Sequence, residues 1–268
     1  MRRYFGITNL AIHSFNATLK YVFLVFFAAI SICNSYASSN FNDETLKYVI
    51  SYKWGLIHKD AGDAVLKLSK SGNKYNISLT AKTKPWADKI YSVRDTLKGA
   101  LNIKNLTPIY YTKIMHEKDK YAKDEIKYTI SGTNVTGKCL RYREKKGKTV
   151  TSEKTLSASG PVYDMLSVFY YLRQLDYNQL NRNKIYTATV FSGDKKETIK
   201  IRSLGIENIK LRNKKTVEAY HVKFVFTRDG GKKSSDDIDT WISTDSSHVP
   251  LYLVGKLPVG EVRAYLVE

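Results

Sequence analysis

The chain has 268 residues, with 44 Lys and Arg against 25 Asp and Glu and a formal net charge of +19. A charge of that size is compatible with a polyanionic partner. The bases, however, are scattered through turns and polar strand faces (Lys70, Lys74, Lys145, Lys146, Lys195, Lys214), and no recognition helix, zinc-ligand spacing or RNA-binding signature goes with them. Nucleic acid is therefore not an expected partner; an acidic envelope surface, lipid or glycan, meeting a basic face is.

Residues 1–37 read as an export signal peptide. Arg2, Arg3 and Lys20 precede the apolar run 21–32, "YVFLVFFAAISI", and Ser35 and Ala37 put small residues where a signal peptidase reads. The run is shorter than the roughly 20 residues of a membrane span, so cleavage and a periplasmic location are expected rather than anchoring. Of the two cysteines only Cys139 follows the leader, which leaves no intrachain disulfide. Residues 38–268 are long enough for a single β-rich domain with a sizeable core.

From residue 45 the dominant signal is period-two alternation. In 45–57 Leu46, Tyr48, Ile50, Tyr52, Trp54 and Leu56 fall on one side, and in 73–84 Tyr75, Ile77, Leu79 and Ala81 do. With 63–70 between them these segments predict a meander. Segment 85–101 is ambiguous. Trp86, Ile90, Val93, Leu97 and Leu101 recur at helical spacing behind Pro85, whereas Ile90, Tyr91 and Val93 also suit a strand. Further strands are predicted at 108–117, 121–131, 134–145, 184–191, 196–203, 206–212, 215–228, 237–243, 249–256 and 259–267, punctuated by turn residues such as Ser192-Gly193-Asp194 and Asp229-Gly230-Gly231.

One segment interrupts them. "ASGPVYDMLSVFYYLRQLDYNQL" (158–180) is apolar on nearly every side, and its Ser159, Pro161 and Asp164 read as the start of a helix over 161–176. A surface helix carries one apolar stripe, whereas this segment carries two. The expected architecture is therefore mainly β: a curved antiparallel sheet or incomplete β-barrel enclosing one long helix.

The stretches "WGLIHKDAGDAVLKL", "IYSVRDTLKGALNIKNLTPIYYTKIMHEKDKY", "YDMLSVFYYLRQLDY" and "IDTWISTDSSHVPLYLVGKLPVGEVRAYLVE" resemble, in this order, the DUF3108 family of exported bacterial proteins, whose function is not established. More remotely the pattern is similar to the lipoprotein-carrier type of fold, in which a curved, incomplete barrel wraps a helix and binds acyl chains. The resemblance implies a periplasmic strand-rich protein and supplies no catalytic residue.

No arrangement of side chains argues for catalysis or a cofactor. His58, His116, His221 and His248 have no metal spacing, and no Gly-x-Ser-x-Gly elbow is present. Cys139 reads as a small strand residue, although Lys138 and Arg141 could lower its pKa. Asp236, Asp237 and Asp239 read as a polar loop rather than a calcium site or a glycosidase pair. The expectation is a non-catalytic periplasmic binding or carrier protein for an amphiphilic, lipid-like ligand held between helix and sheet. Trp54, Met165, Phe169, Tyr170 and Leu172 would meet its apolar part, Arg94 or Arg173 would face an anionic head group, and Asp164 would sit at the cavity mouth. The alternative is a structural or interaction protein of the cell envelope with no ligand cavity.

Overall fold

The computed structural model of the protein describes residues 41–228, 231, 233–257 and 259–267. The leader expected at 1–37 lies outside the described residues. Alternation dictates the backbone, and the strands join into one 15-stranded sheet. The first half is a meander of β1 (Glu44–Trp54), β2 (Ile57–Ser71), β3 (Lys74–Thr83), a helical turn α1 (Pro85–Asp88), β4 (Val93–Asn102), β5 (Pro108–Glu117), β6 (Lys120–Ser131), β7 (Asn134–Lys145) and β8 (Lys148–Ser159). A linking segment holds β9 (Val162–Asp164), α2 (Ser167–Leu172) and α3 (Tyr177–Asn181). The second meander is β10 (Tyr186–Ser192), β11 (Lys195–Lys210), β12 (Thr216–Arg228), β13 (Ile238–Ser243), β14 (Pro250–Lys256) and β15 (Glu261–Val267). β15 pairs with β1, giving the order β8-β7-β6-β5-β4-β3-β2-β1-β15-β14-β13-β12-β11-β10-β9. Neighbours are antiparallel except β9, which runs parallel to β10.

The period of two decides which side faces in. Tyr48, Ile50 and Tyr52 of β1 and Tyr75, Ile77, Leu79 and Ala81 of β3 are buried, as their alternation predicts. The ambiguous segment 85–101 divides: Pro85 opens one helical turn, and the chain then enters β4, whose buried Val93, Leu97 and Leu101 lie four apart, with buried Asp95 and Gly99 between them in the same phase. Register shifts between Ile50 and Ser51, Ala100 and Leu101, and Ser203 and Gly205 bend the strands. The two predicted strands 196–203 and 206–212 are one long strand, β11, with its irregularity at Ser203/Gly205. β8 is a strand that alternation does not reveal. Of its residues only Leu156 is buried, so both faces meet water and no apolar period is required.

The sheet curls into a nearly closed barrel, because β9 comes round to lie against β5 and β10 against β6 and β7. Phe191 of β10 stacks on Tyr128 of β6, with ring centroids 6.1 Å apart and planes 6° from parallel. Gly137 of β7 admits this ring: a Cβ there would sit 2.7 Å from Phe191 Cδ2 and 3.0 Å from Ile126 Cγ2. Gly137→Ala is therefore expected to lower the unfolding free energy by about 1–3 kcal/mol through overpacking at the closure, read as a reduced denaturant midpoint.

The long helix expected over 161–176 is not formed. Residues 162–164 are a short parallel strand, and the helical part shrinks to Ser167–Leu172, followed by a second short helix. The reason lies in two capping aspartates. Asp164 Oδ1 accepts from the backbone N–H of both Leu166 and Ser167 at 2.9 Å, while Ser167 Oγ accepts from Asp164 N at 2.8 Å. Asp176 Oδ1 accepts from Gln179 N at 3.1 Å. Asp176 is the N-cap of α3, and Asp164, two residues before the Leu166 N-cap, takes up free N–H groups at the start of α2, so the chain starts a helix twice instead of running one through. Enclosure does hold: Val168, Tyr170 and Leu172 are buried, and Phe169 and Tyr171 are half-buried and packed on the core.

The barrel has two unlike ends. Antiparallel order puts the start of β1, the β13–β14 turn and the residues after α2 at one end, the base. Arg173 closes it. Its guanidinium pairs with the Glu44 carboxylate, its Nε donates to Ser247 O at 2.9 Å, and its Cζ lies 4.7 Å from the Phe41 ring centroid. Phe41 in turn packs edge-on against Tyr75 and Tyr170. The other end, the mouth, carries the β1–β2, β5–β6, β10–β11, β12–β13 and β14–β15 connections and is open.

Candidate binding cleft at the mouth

A cleft of about 590 Å³ opens at the mouth between the β5–β7 wall and the β10–β14 wall. Its apolar lining includes Tyr111, Met115, Met165, Phe226, Ile238 and Leu257. The rest is charged. β5 supplies Lys113 and Glu117, β6 supplies Asp124 and β7 supplies Arg141 and Arg143, while Asp194, Lys195, Glu197 and Arg228 approach from the opposite wall.

These side chains point inward because they occupy the buried phase of their strands. In β5 the inward series is Tyr111, Lys113, Met115 and Glu117. In β6 it is Ala122, Asp124 and Ile126. Register then sets Lys113 opposite Asp124, Asp124 opposite Arg141, and Asp95 of β4 opposite Met115. The result is alternating charge across β5, β6 and β7, with Asp95 of β4 near enough for Lys113 to oppose its rise in pKa. Asp124 accepts from Arg141 Nε at 3.1 Å and from Arg143 Nη2 at 2.6 and 2.8 Å, and Arg141 continues to Asp194. Glu117 accepts from the Tyr91 hydroxyl at 2.7 Å.

Burial works against several of these charges. It pushes the Lys113 amine down, while Asp95, Glu117 and Asp124 pull it up. Asp95 is 2% exposed, and its carboxylate makes no well-formed hydrogen bond; the backbone N–H of His116 is the group that approaches it and favours its charged form. Its pKa is pushed up to about 7, first by desolvation, with Lys113 opposing and Glu117 adding to the rise. Asp164, entirely buried behind the cleft, is pushed up to about 6 by desolvation against the backbone N–H groups it accepts from.

The residues singled out in the sequence are not gathered into one site. Met165 lines the cleft. Tyr170 and Leu172 are core and Phe169 packs against it, so these side chains face other core residues between helix and sheet, where a ligand was expected. Arg173 and Glu44 seal the base, far along the barrel from the cleft. Arg94 lies outside the barrel: its guanidinium pairs with Asp88 at 2.7 Å and also donates to Thr83 Oγ1 at 3.0 Å and Val93 O at 2.7 Å. Trp54 is half exposed at the β1–β2 tip. Asp164 caps α2.

The cleft's own charged residues escaped sequence reading, although a signal was there. Lys113, Glu117, Asp124, Arg141 and Arg143 sit in phase with buried apolar neighbours, the reverse of a solvated strand face. Of the other candidates, burial pushes the Cys139 thiol up to about 11, opposite to the activation that its basic neighbours suggested. Asp237 pairs with Lys233 and Asp239 with His221 and Lys223, while Asp236 lines the cleft. Among the described residues no group of three or more His, Cys, Asp and Glu is placed to hold a metal ion.

The curled sheet with one open end defines a β-barrel-like protein. The crystal structure of a beta-barrel-like protein of domain of unknown function DUF1849 from Brucella abortus is similar, with a TM-score of 0.57 at 11% identity, covering 90% of this chain and 98% of that one. At that identity the likeness is one of fold. No curated protein sequence matches this chain. The family described as a protein of unknown function, DUF3108, matches residues 47–267, and the chain belongs to it.

Proposed function

We propose that the protein is an exported, periplasmic binding or carrier protein without catalytic activity, and that the mouth cleft holds a small amphiphile with an anionic head. The supporting observation is the cleft itself. Its volume, about 590 Å³, falls in the range of ligand pockets, and it sets an apolar patch around Met115, Met165 and Phe226 beside Lys113, Arg143 and Lys195. Seven basic side chains line it against five acidic ones, which favours an anionic head over a cationic one. The carrier reading moves the ligand away from α2, whose surroundings are packed, to the mouth.

The expected result is that organic extraction of the purified protein releases an amphiphile detectable by mass spectrometry. A fluorescent fatty-acid probe should bind the emptied protein and be excluded by Met115→Trp, which fills the apolar part from a half-buried position. Protein that is clean on extraction and indifferent to the probe would overturn this reading. It would favour the alternative, a structural or interaction protein of the envelope, a reading that the packing of α2 residues into the core supports.

A further inference from the structure

The β1–β2 hairpin ends in a tip whose chemistry is inverted. A two-residue hairpin turn normally carries Gly, Asn or Asp at its exposed positions. Here Gly55, with φ of +55°, makes the turn, but its neighbours are Trp54, Leu56 and Ile57, which are 49%, 105% and 53% exposed. The other two-residue tips at the mouth are polar: Lys118-Asp119, Lys146-Gly147 and Gly193-Asp194. Three adjacent large apolar side chains in water at a loop tip do nothing for the core and mark a contact surface.

The tip is braced rather than loose. Tyr52 donates through its hydroxyl to Val259 O at 2.8 Å, Lys53 pairs with Glu261 at 3.7 Å, and Gly260 comes so close to Lys53 O that a Cβ there would lie 2.3 Å from it. Val259, Gly260 and Glu261 lie in or at the end of the β14–β15 connection, whose other end contributes Lys256 and Leu257 to the cleft. Tip and cleft mouth are therefore held next to each other.

The surroundings are basic. Lys59, Lys89, Lys118, Lys146, Lys195 and Lys256 all stand on or beside connections at this end, in a chain of net charge +19. Of the acids that accompany them, Asp88 is neutralised by Arg94 and Asp194 by Arg141. An aromatic–aliphatic wedge within a field of lysines is complementary to a surface that is anionic at its boundary and apolar beneath. We propose that the Trp54–Leu56–Ile57 tip inserts into the interface of an anionic phospholipid bilayer and sets the mouth against the membrane. This docking does not depend on what the cleft binds.

The test reads Trp54 locally, so binding through any other segment cannot imitate it. The full chain and its Trp54→Phe variant are mixed with vesicles of brominated phosphatidylcholine containing phosphatidylglycerol, and the difference in tryptophan fluorescence is followed. Bromine quenching and a blue shift belonging to Trp54 are expected. They should be lost on vesicles of phosphatidylcholine alone and should weaken as salt rises. Leu56→Asp, at a position outside the core, is expected to reduce vesicle partitioning by about ten-fold. If the chain sediments with anionic vesicles while Trp54 stays unquenched, or if neutral vesicles quench it equally, the proposal is overturned. If Trp54 stays unquenched and the chain instead binds heparin, an acidic glycan replaces the bilayer as partner. Far-UV circular dichroism verifies the fold of Leu56→Asp, and the Trp54→Phe comparison stands without it.

Discussion

Arg173→Ala is expected to lower the unfolding free energy by about 3–5 kcal/mol, the range for removing one partner of a buried ion pair. The Arg173 residue is 4% exposed and its guanidinium does three jobs at once. It neutralises Glu44, satisfies the carbonyl of Ser247 and covers the face of Phe41. Alanine leaves Glu44 charged in a partly dry site, leaves Ser247 O without this donor and opens a gap at the base. Arg173→Lys should recover only part of the loss, because an ammonium cannot reproduce the fork that reaches both Glu44 oxygens and the Ser247 carbonyl together. Pairing Arg173→Ala with Glu44→Gln separates the terms. The double variant should be less destabilised than the sum of the singles, since removing Glu44's charge removes the main harm done by losing Arg173. Urea unfolding of the four proteins gives the answer, and strictly additive losses would refute a coupled seal.

That seal separates two roles that one sequence segment suggested together. Residues 158–180 read as a greasy rod with a charged partner, Arg173, at a cavity mouth. The rod is enclosed and the charge is buried, but they lie at the closed end. Only Met165, at the start of the segment, reaches the open end. Sequence spacing can report that a residue is buried beside apolar neighbours. It does not report which end of a barrel those neighbours occupy, because that depends on register between strands far apart in the chain.

The strands themselves were legible wherever one face is wet and the other dry. The segment 108–117 coincides with β5 and 134–145 with β7: Val135, Gly137 and Cys139 are buried at a period of two, and Tyr111 and Glu117 share one phase of β5. β8 was invisible because burial does not constrain it. The helix was overextended because Pro161 and Ser159 look like a helix start, while the side chain that satisfies the free N–H groups is Asp164, three residues inside the predicted element. The cleft was hidden for a related reason. An inward Lys113 or Asp124 looks on paper like an error in the alternation and makes sense only once Asp124, Arg141 and Arg143 are side by side.

The inward charges also set the pH dependence, and Asp95 should dominate it. Its folded pKa, about 7, stands well above the unfolded value of about 3.9. Between those values the folded state holds a proton that the unfolded state has lost, so stability falls as pH rises from about 4 to about 7 and levels off above. The size is roughly 3–4 kcal/mol at pH 8 relative to a neutral side chain. Asp95→Asn should abolish most of this slope, leaving stability near pH 4 almost unchanged and raising it at pH 8. The groups facing Asp95 modify the result without reversing it. Glu117 from β5 adds to the rise and Lys113 from β5 opposes it. Lys113, already pushed down by burial, loses a supporting carboxylate in the variant, which offsets part of the gain. Asp164, at about 6, contributes a slope of the same sign that ends sooner, so some decline between about 4 and 6 should survive Asp95→Asn. Urea midpoints measured at intervals from pH 4 to pH 8 give two curves that should meet at the acid end and diverge steadily toward the basic end. A constant separation across that range would mean that Asn changes packing and that Asp95 is not the titrating group.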